Sequence, residues 1–93
     1  MNTTANDLFI NKKVLIRTTT AGIHYGTLIS RDGKEVFLKN ARNIWSWAGA
    51  LSLNEIVTKG VNLKESKITE QVEELILTDV IAIYPIQKTS NLP

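Results

Sequence analysis

The segment from Asn40 to Trp47 holds the side chains that are best suited to binding a ligand. One guanidinium, two carboxamides and two indoles occur within eight residues, at Asn40, Arg42, Asn43, Trp45 and Trp47. An indole can stack on a nucleobase, a guanidinium can bind a phosphate, and a carboxamide can hydrogen-bond the edge of a base. The segment therefore predicts one wall of a pocket for a nucleotide-like ligand.

The two tryptophans leave a second interpretation open. Strand side chains alternate, so Trp45 and Trp47 would face the same side of an extended segment. Gly49 leaves room for a flat ligand over the Trp47 indole, whereas Trp45 follows Ile44 and is the candidate for a buried partner. Two tryptophans in a small β protein also suit the core or an interface between subunits.

A second group of candidate ligand-binding residues lies just upstream. Its members are Arg17, Thr18, Thr19, Thr20, Gly22 and His24. Hydroxyls, a guanidinium and accessible backbone amides at one strand end can together hold a phosphate. The threonines equally suit a sheet followed by an ordinary turn, and the histidine also suits a structural or surface role.

The sequence supplies little for catalysis. A nucleophile needs an activating base and an orienting third group, yet the chain has no cysteine and only one histidine. The glycine-rich loops of nucleotide-hydrolysing and dinucleotide-binding proteins are also missing from the sequence. We therefore expect a protein that is not an enzyme, with no catalytic residue, no metal site and no cofactor.

Positive charge is concentrated in the first half of the chain, although the net charge is only +2 at pH 7. Residues 8–50 hold seven Lys and Arg against two acidic residues, whereas residues 51–93 hold four against six. This asymmetry favours an anionic partner for the first half, but it is weaker than the basic stripe of a dedicated DNA-binding protein. A solvated charged surface is the alternative.

Short β-strands dominate the predicted secondary structure. Apolar and β-branched runs between turn residues predict strands at 14–20, 23–30, 35–40, 72–78 and 80–85. Gly26 predicts a bend or bulge in the second strand. Asp32-Gly33 predicts a tight hairpin, because glycine accepts a positive φ and aspartate tolerates it.

One short helix is predicted at 52–59, where Ser52-Leu-Asn-Glu55 has the form of a capping box and Gly60 suits the helix end. Residues 61–69 are predicted to be a connecting loop. We expect a single domain, 1–93, with an ordered core at about 8–87 and flexible termini. The polar residues 1–6 and the absence of a long apolar stretch predict no signal peptide, no membrane partner and a cytoplasmic location.

Consecutive hairpins and a single helix predict a mostly β protein, built as a small bent antiparallel barrel of about five strands, similar to SH3-like folds. The order of elements also resembles the Sm-like barrel, whose outline fits Leu38-Lys-Asn-Ala41 and the run from Leu75 to Pro85. Thr78-Asp79 replaces the usual Arg-Gly corner, and no asparagine stands at the expected third-strand position. The Sm resemblance therefore implies architecture and not RNA binding.

Three strings carry a closer resemblance: Arg17-Thr-x-x-Ala-Gly, Gly26-Thr-Leu-x-Ser-Arg-x-Gly-Lys-Glu-Val-x-Leu and Asn40-Ala-Arg-x-Ile-Trp-x-Trp-x-Gly-Ala. With them the chain, from Val14 to Ile83, resembles a family of small uncharacterised phage and prophage proteins known only as a domain of unknown function. The resemblance implies a viral setting, in the cytoplasm of a bacterial host, and no particular activity.

Small oligomeric phage proteins include sponges that sequester the nucleotide immune signals of CBASS and Thoeris systems. By that analogy we expect an anti-defence protein that binds a cyclic dinucleotide or an ADP-ribose-derived molecule. Unpaired strand edges predict a homo-oligomer whose pocket is built from more than one chain. The alternatives are a protein-binding inhibitor of a host enzyme, a structural phage module, and an Sm-like ring that binds RNA or single-stranded DNA.

Overall fold

Six β-strands and one helix form the structure, a computed structural model that describes residues 8–93. In chain order the elements are β1 (Lys13–Thr18), β2 (Ile23–Asp32), β3 (Glu35–Ser46), α1 (Leu53–Thr58), β4 (Lys67–Ile68), β5 (Val72–Leu77) and β6 (Val80–Pro85). Residues 1–7, and with them the predicted flexible amino terminus, lie outside the described residues.

The predicted hairpin joins β2 to β3. Asp32 and Glu35 are paired across it, so Gly33 and Lys34 form the turn, and Gly33 has a φ of 57°. The turn thus begins one residue later than Asp32-Gly33, but the physical reason for the prediction holds, since a two-residue hairpin turn needs positive φ.

β3 continues past Asn40, where the sequence predicted its end, to Ser46. The pairing of β2 with β3 shifts between Tyr25 and Thr27, which confirms the predicted bulge at Gly26. A Cβ at Gly26 would lie 2.9 Å from the backbone oxygen of Lys39, so glycine lets the two strands approach. Asn40 takes a φ of 54° opposite this bulge, a conformation that asparagine tolerates, and the strand resumes beyond it.

The strands form one antiparallel sheet in the order β4-β3-β2-β1-β6, with β5 also paired to β3. β5 and β6 follow one another at a sharp corner, Thr78-Asp79, and line opposite edges of the curled sheet. The predicted mostly β fold with one short helix is confirmed. The sheet is bent but not closed, and a sixth strand, β4, lies in the segment that was predicted to be a loop.

Apolar side chains are buried on both faces of the sheet. Along β1, Val14 and Ile16 enter one cluster and Leu15 enters the other, as the alternation of strand side chains requires. The inner core, inside the curl, contains Val14, Ile16, Leu28, Val36, Leu38, Ala41, Leu77 and Val80. The outer core contains Leu15, Tyr25, Ile44, Ile56, Val57, Val61 and Leu92.

α1 covers the outer core and begins as the capping box predicted. The Ser52 hydroxyl accepts a hydrogen bond from the Glu55 amide at 3.3 Å, and the Glu55 carboxylate accepts one from the Leu51 amide at 2.8 Å. Gly60 follows the helix with a φ of 100°, in agreement with the predicted stop. No helix within residues 8–93 has the length and apolar character needed to cross a bilayer.

The carboxy-terminal segment, residues 87–93, differs from the flexible tail that its composition predicted. Leu92 is only 6% exposed and belongs to the outer core. Asn91 binds both backbone groups of Val61, accepting from its amide at 2.8 Å and donating to its carbonyl at 2.6 Å. A Cβ at Gly60 would overlap the Asn91 side chain. The segment is held because it buries an apolar side chain and satisfies backbone groups that follow α1.

Candidate ligand-binding site

The predicted site residues lie on two opposite faces of β3. His24 is paired with Asn43, and Trp45 follows two residues later, where the pairing of β3 with β4 shifts. Arg42 is paired with Tyr25 on the other face, over the outer core. The single wall that the sequence predicted for Arg42, the asparagines and both indoles is therefore divided between these faces.

The first of them, here called the Trp45 face, consists of His24, Asn43, Trp45 and Lys67. The Asn43 carboxamide donates to the Ile23 carbonyl at 2.8 Å and lies 3.5 Å from Nε2 of His24. The same His24 nitrogen is 2.8 Å from the Ala21 carbonyl. The imidazole and the carboxamide are thus fixed by backbone groups of the β1–β2 turn, which keeps this part of the face rigid.

Trp45 is 62% exposed, so the expectation that it would be the buried partner is wrong. The Lys67 ammonium lies 4.9 Å from the centre of its ring, a cation–π contact that orients the indole. The pairing of β3 with β4 shifts between Ile44 and Ser46, which leaves Trp45 as an extra residue directed outward.

Trp47, and not Trp45, is the more buried of the two indoles. It lies beyond the end of β3 and packs against the outer core. Strand alternation no longer applies there, so the two indoles do not share a side. Trp47 is half-buried there, and its role in binding a ligand stays a prediction.

A cleft of about 190 Å³ opens beside the Trp45 face. Its walls include His24, Arg42, Asn43, Thr69 and Glu70. Arg42 donates to the Thr69 carbonyl at 3.3 Å, and Thr69 also pairs with the Asn43 backbone, its hydroxyl accepting from the Asn43 amide at 2.9 Å. Three predicted site residues therefore meet at this cleft, which combines a guanidinium, an imidazole and a carboxamide.

The predicted phosphate-binding turn after β1 is occupied by a carboxylate of the chain itself. Asp79 accepts hydrogen bonds from the Thr20 amide at 2.8 Å and from the Thr20 hydroxyl at 2.7 Å. The Thr18 hydroxyl donates to the Gly22 carbonyl at 2.7 Å, and the Thr19 hydroxyl to the Asp79 carbonyl. The Thr19 and Thr20 donors join the turn to the β5–β6 corner, whereas the Thr18 hydroxyl closes the turn itself.

Two further candidates stand apart from the cleft. Arg17 is exposed on β1, paired with Ile23 and Ala82. Asn40 accepts a hydrogen bond from Gln71 at 3.4 Å and lies beside Glu73 and Glu74 in another shallow cleft. Neither is brought to the Trp45 face.

Three residues of the Trp45 face, the cleft and the turn after β1 were not predicted from the sequence: Lys67, Thr69 and Asp79. Each acts across a long sequence separation, for example 26 residues from Thr69 to Asn43 and 59 from Asp79 to Thr20. No local motif surrounds them, so only the pairing of distant strands could have identified them. Within residues 8–93, no three His, Cys, Asp or Glu side chains come close enough to hold a metal ion.

Comparison with known protein families gives one match. Residues 11–91 match the model of a family described as "Domain of unknown function (DUF6948)". The match covers most of the chain, and the chain therefore belongs to this family. Neither the curated proteins nor the solved structures contain a match to it.

Proposed function

We propose that this member of the DUF6948 family is a non-enzymatic binding protein that sequesters a nucleotide-like ligand on the Trp45 face. The observation that carries the proposal is the Trp45 indole, 62% exposed and held against Lys67. Exposing so large an aromatic surface forgoes the stabilisation that burial would give, and stacking on a base recovers it in the complex.

The neighbours of Trp45 provide the remaining chemistry that a nucleotide requires. Lys67 carries positive charge for a phosphate, and the Asn43–His24 pair offers polar groups for a base or a ribose. The Asn43 and His24 side chains are bound to backbone carbonyls before any ligand arrives. Binding would therefore order few groups, which favours affinity.

The setting we propose is that of a phage or prophage protein acting against host defence. In this role the ligand is a cyclic dinucleotide or an ADP-ribose-derived immune signal, and the protein lowers its free concentration without altering it. The motif resemblance to phage proteins and the basic first half of the chain support this setting, which places the protein in the cytoplasm of its host.

The proposal includes assembly into a homo-oligomer. β5 is paired only with β3 and β6 only with β1 among the described strands, so each leaves one edge without a partner. Ile76 on β5 is 65% exposed beside its cross-strand partner Phe37. An unpaired edge with an apolar side chain favours pairing between subunits, which would also extend the ligand pocket across chains.

The same exposed side chains support a second candidate, a protein-binding inhibitor or a structural phage module. Leu51, 97% exposed, and Ile76 would then contact another protein. A ring that binds RNA or single-stranded DNA is a third candidate, and it would show a steep loss of affinity with added salt.

The experiment that tests the proposed function begins with purified protein exposed to a mixture of cyclic dinucleotides and ADP-ribose derivatives. After removal of unbound compounds and heat denaturation, we expect one compound to be released chemically intact, as mass spectrometry would show. Release of a hydrolysed product would identify an enzyme. Failure to retain any compound, with copurification of a host protein, would favour the inhibitor.

A further inference from the structure

On the opposite face of β3, the Tyr25 hydroxyl is buried without a hydrogen-bond partner. Tyr25 is 1% exposed and lies in the outer core. Its hydroxyl is the one buried side-chain polar atom without a partner found within residues 8–93. Buried tyrosine hydroxyls are usually hydrogen-bonded, so an orphan group indicates either a tolerated cost or an absent ligand.

Two cations lie near the Tyr25 side chain. Arg42 is the direct cross-strand partner of Tyr25, and the Lys13 ammonium lies 5.3 Å from the centre of the Tyr25 ring. Burial lowers the pKa of Lys13, and the charge of Arg42 lowers it further. Burial raises the pKa of Tyr25, an effect that Arg42 opposes. The charge of Arg42 thus acts on both groups.

The Arg42 guanidinium donates to the Thr69 carbonyl at 3.3 Å. The Lys13 ammonium donates to the backbone oxygens of Leu92 and Pro93, at 3.0 and 2.9 Å. These oxygens meet the hydrogen-bonding needs of the ammonium but bring no side-chain carboxylate to the pair of cations. The Leu92 side chain covers the outer core beside them.

We propose that Lys13, Tyr25 and Arg42 form a binding site for a tetrahedral oxyanion of the phosphate class, which displaces the backbone oxygens of residues 92 and 93 from Lys13. The oxyanion accepts one hydrogen bond from the phenol and charge-assisted bonds from the two cations. This site faces away from Trp45, so it goes beyond the proposed nucleotide site. Its anion can be free phosphate or the phosphoryl group of a larger ligand.

The test uses the full chain at constant ionic strength, adjusted with sodium chloride. Inorganic phosphate is titrated in an NMR experiment that follows backbone amides, with a mononucleotide in a parallel titration. We expect saturable shifts at Lys13, Tyr25 and Arg42 and at the 92–93 segment. Tyr25→Phe keeps the ring and removes the donor, and should weaken phosphate binding by about tenfold.

The substitution Lys13→Met should weaken phosphate binding at least as much as Tyr25→Phe, because methionine lacks the charge but keeps an apolar stem over the Tyr25 ring. Arg17→Gln is the matched control, since it removes a positive charge from the same face of β1, and it should leave the affinity unchanged. The site would be overturned if neither phosphate nor the mononucleotide gave saturable shifts, or if wild type and Tyr25→Phe bound the anion with equal affinity. Saturable binding of the mononucleotide, but not of inorganic phosphate, would mean that the site binds only the phosphoryl group of a larger ligand.

Discussion

A single carboxylate, that of Asp79, joins the turn after β1 to the β5–β6 corner. It accepts from both the amide and the hydroxyl of Thr20. Hydrogen bonds from the Thr20 side chain and then from its backbone lower the pKa of Asp79 from its ordinary value of 3.8. The hydrogen-bond donors of this turn thus bind a carboxylate of the chain itself. This explains why a sequence that is suited to binding phosphate can instead stabilise the fold.

The substitution Asp79→Asn should reduce stability at neutral pH, because it removes the charge that these donors favour. A carboxyl whose pKa is depressed by folding stabilises the protein above its ordinary pKa, and this contribution is lost as the pH falls through the folded-state value. Thermal unfolding at about pH 7 and about pH 3 checks this expectation. The difference in unfolding temperature between wild type and variant should be smaller at the lower pH. An equal difference at both pH values would contradict this expectation.

Short motifs in the sequence correctly predicted the elements whose geometry depends on neighbouring residues. The β2–β3 hairpin follows from the conformational freedom of Gly33, and the start of α1 follows from Ser52 and Glu55, which meet within one turn. The orientation of Trp45 was not predictable in this way. It depends on a bulge set by the pairing of β3 with β4, which lies about twenty residues later in the chain.

The carboxy-terminal segment shows the same limit. Its polar, turn-rich composition predicts flexibility, and the contacts that hold it involve Gly60, Val61 and Ile56 from the end of α1 and the loop beyond it. Sequence separations of about 30 residues carry no local pattern. The packing of this segment depends on β6, which brings the chain back over the outer core, and it therefore could not be predicted from the segment's own sequence.

The substitution Leu92→Ala tests whether this docking stabilises the fold. Removing a leucine side chain from a buried position should lower the free energy of unfolding by about 2 to 5 kcal/mol. Leu51→Ala is the control, because Leu51 is 97% exposed and its loss should change stability by no more than about 0.5 kcal/mol. Denaturant unfolding measures both. Equal stabilities would mean that the segment contributes nothing to the fold.

At the scale of the whole molecule, the proposed assembly depends on the outer edge of β5. Ile76→Lys should shift the proposed oligomer toward monomer, because a charge on an edge strand opposes pairing between subunits. Size-exclusion chromatography with light scattering at micromolar concentration measures the mass directly. Leu51→Lys places the same charge at an exposed position outside the sheet and should leave the mass unchanged. A monomeric wild type would contradict the proposed assembly.

Calorimetric titration tests the claim that the Trp45 face binds a nucleotide-like ligand. The compound retained by wild type is titrated into wild type, Trp45→Ala and Ile81→Ala, which removes another exposed apolar side chain from a different strand. Loss of stacking should weaken binding to Trp45→Ala by roughly 5- to 150-fold, with Ile81→Ala unchanged. Wild-type affinity in a folded Trp45→Ala variant would contradict the claim.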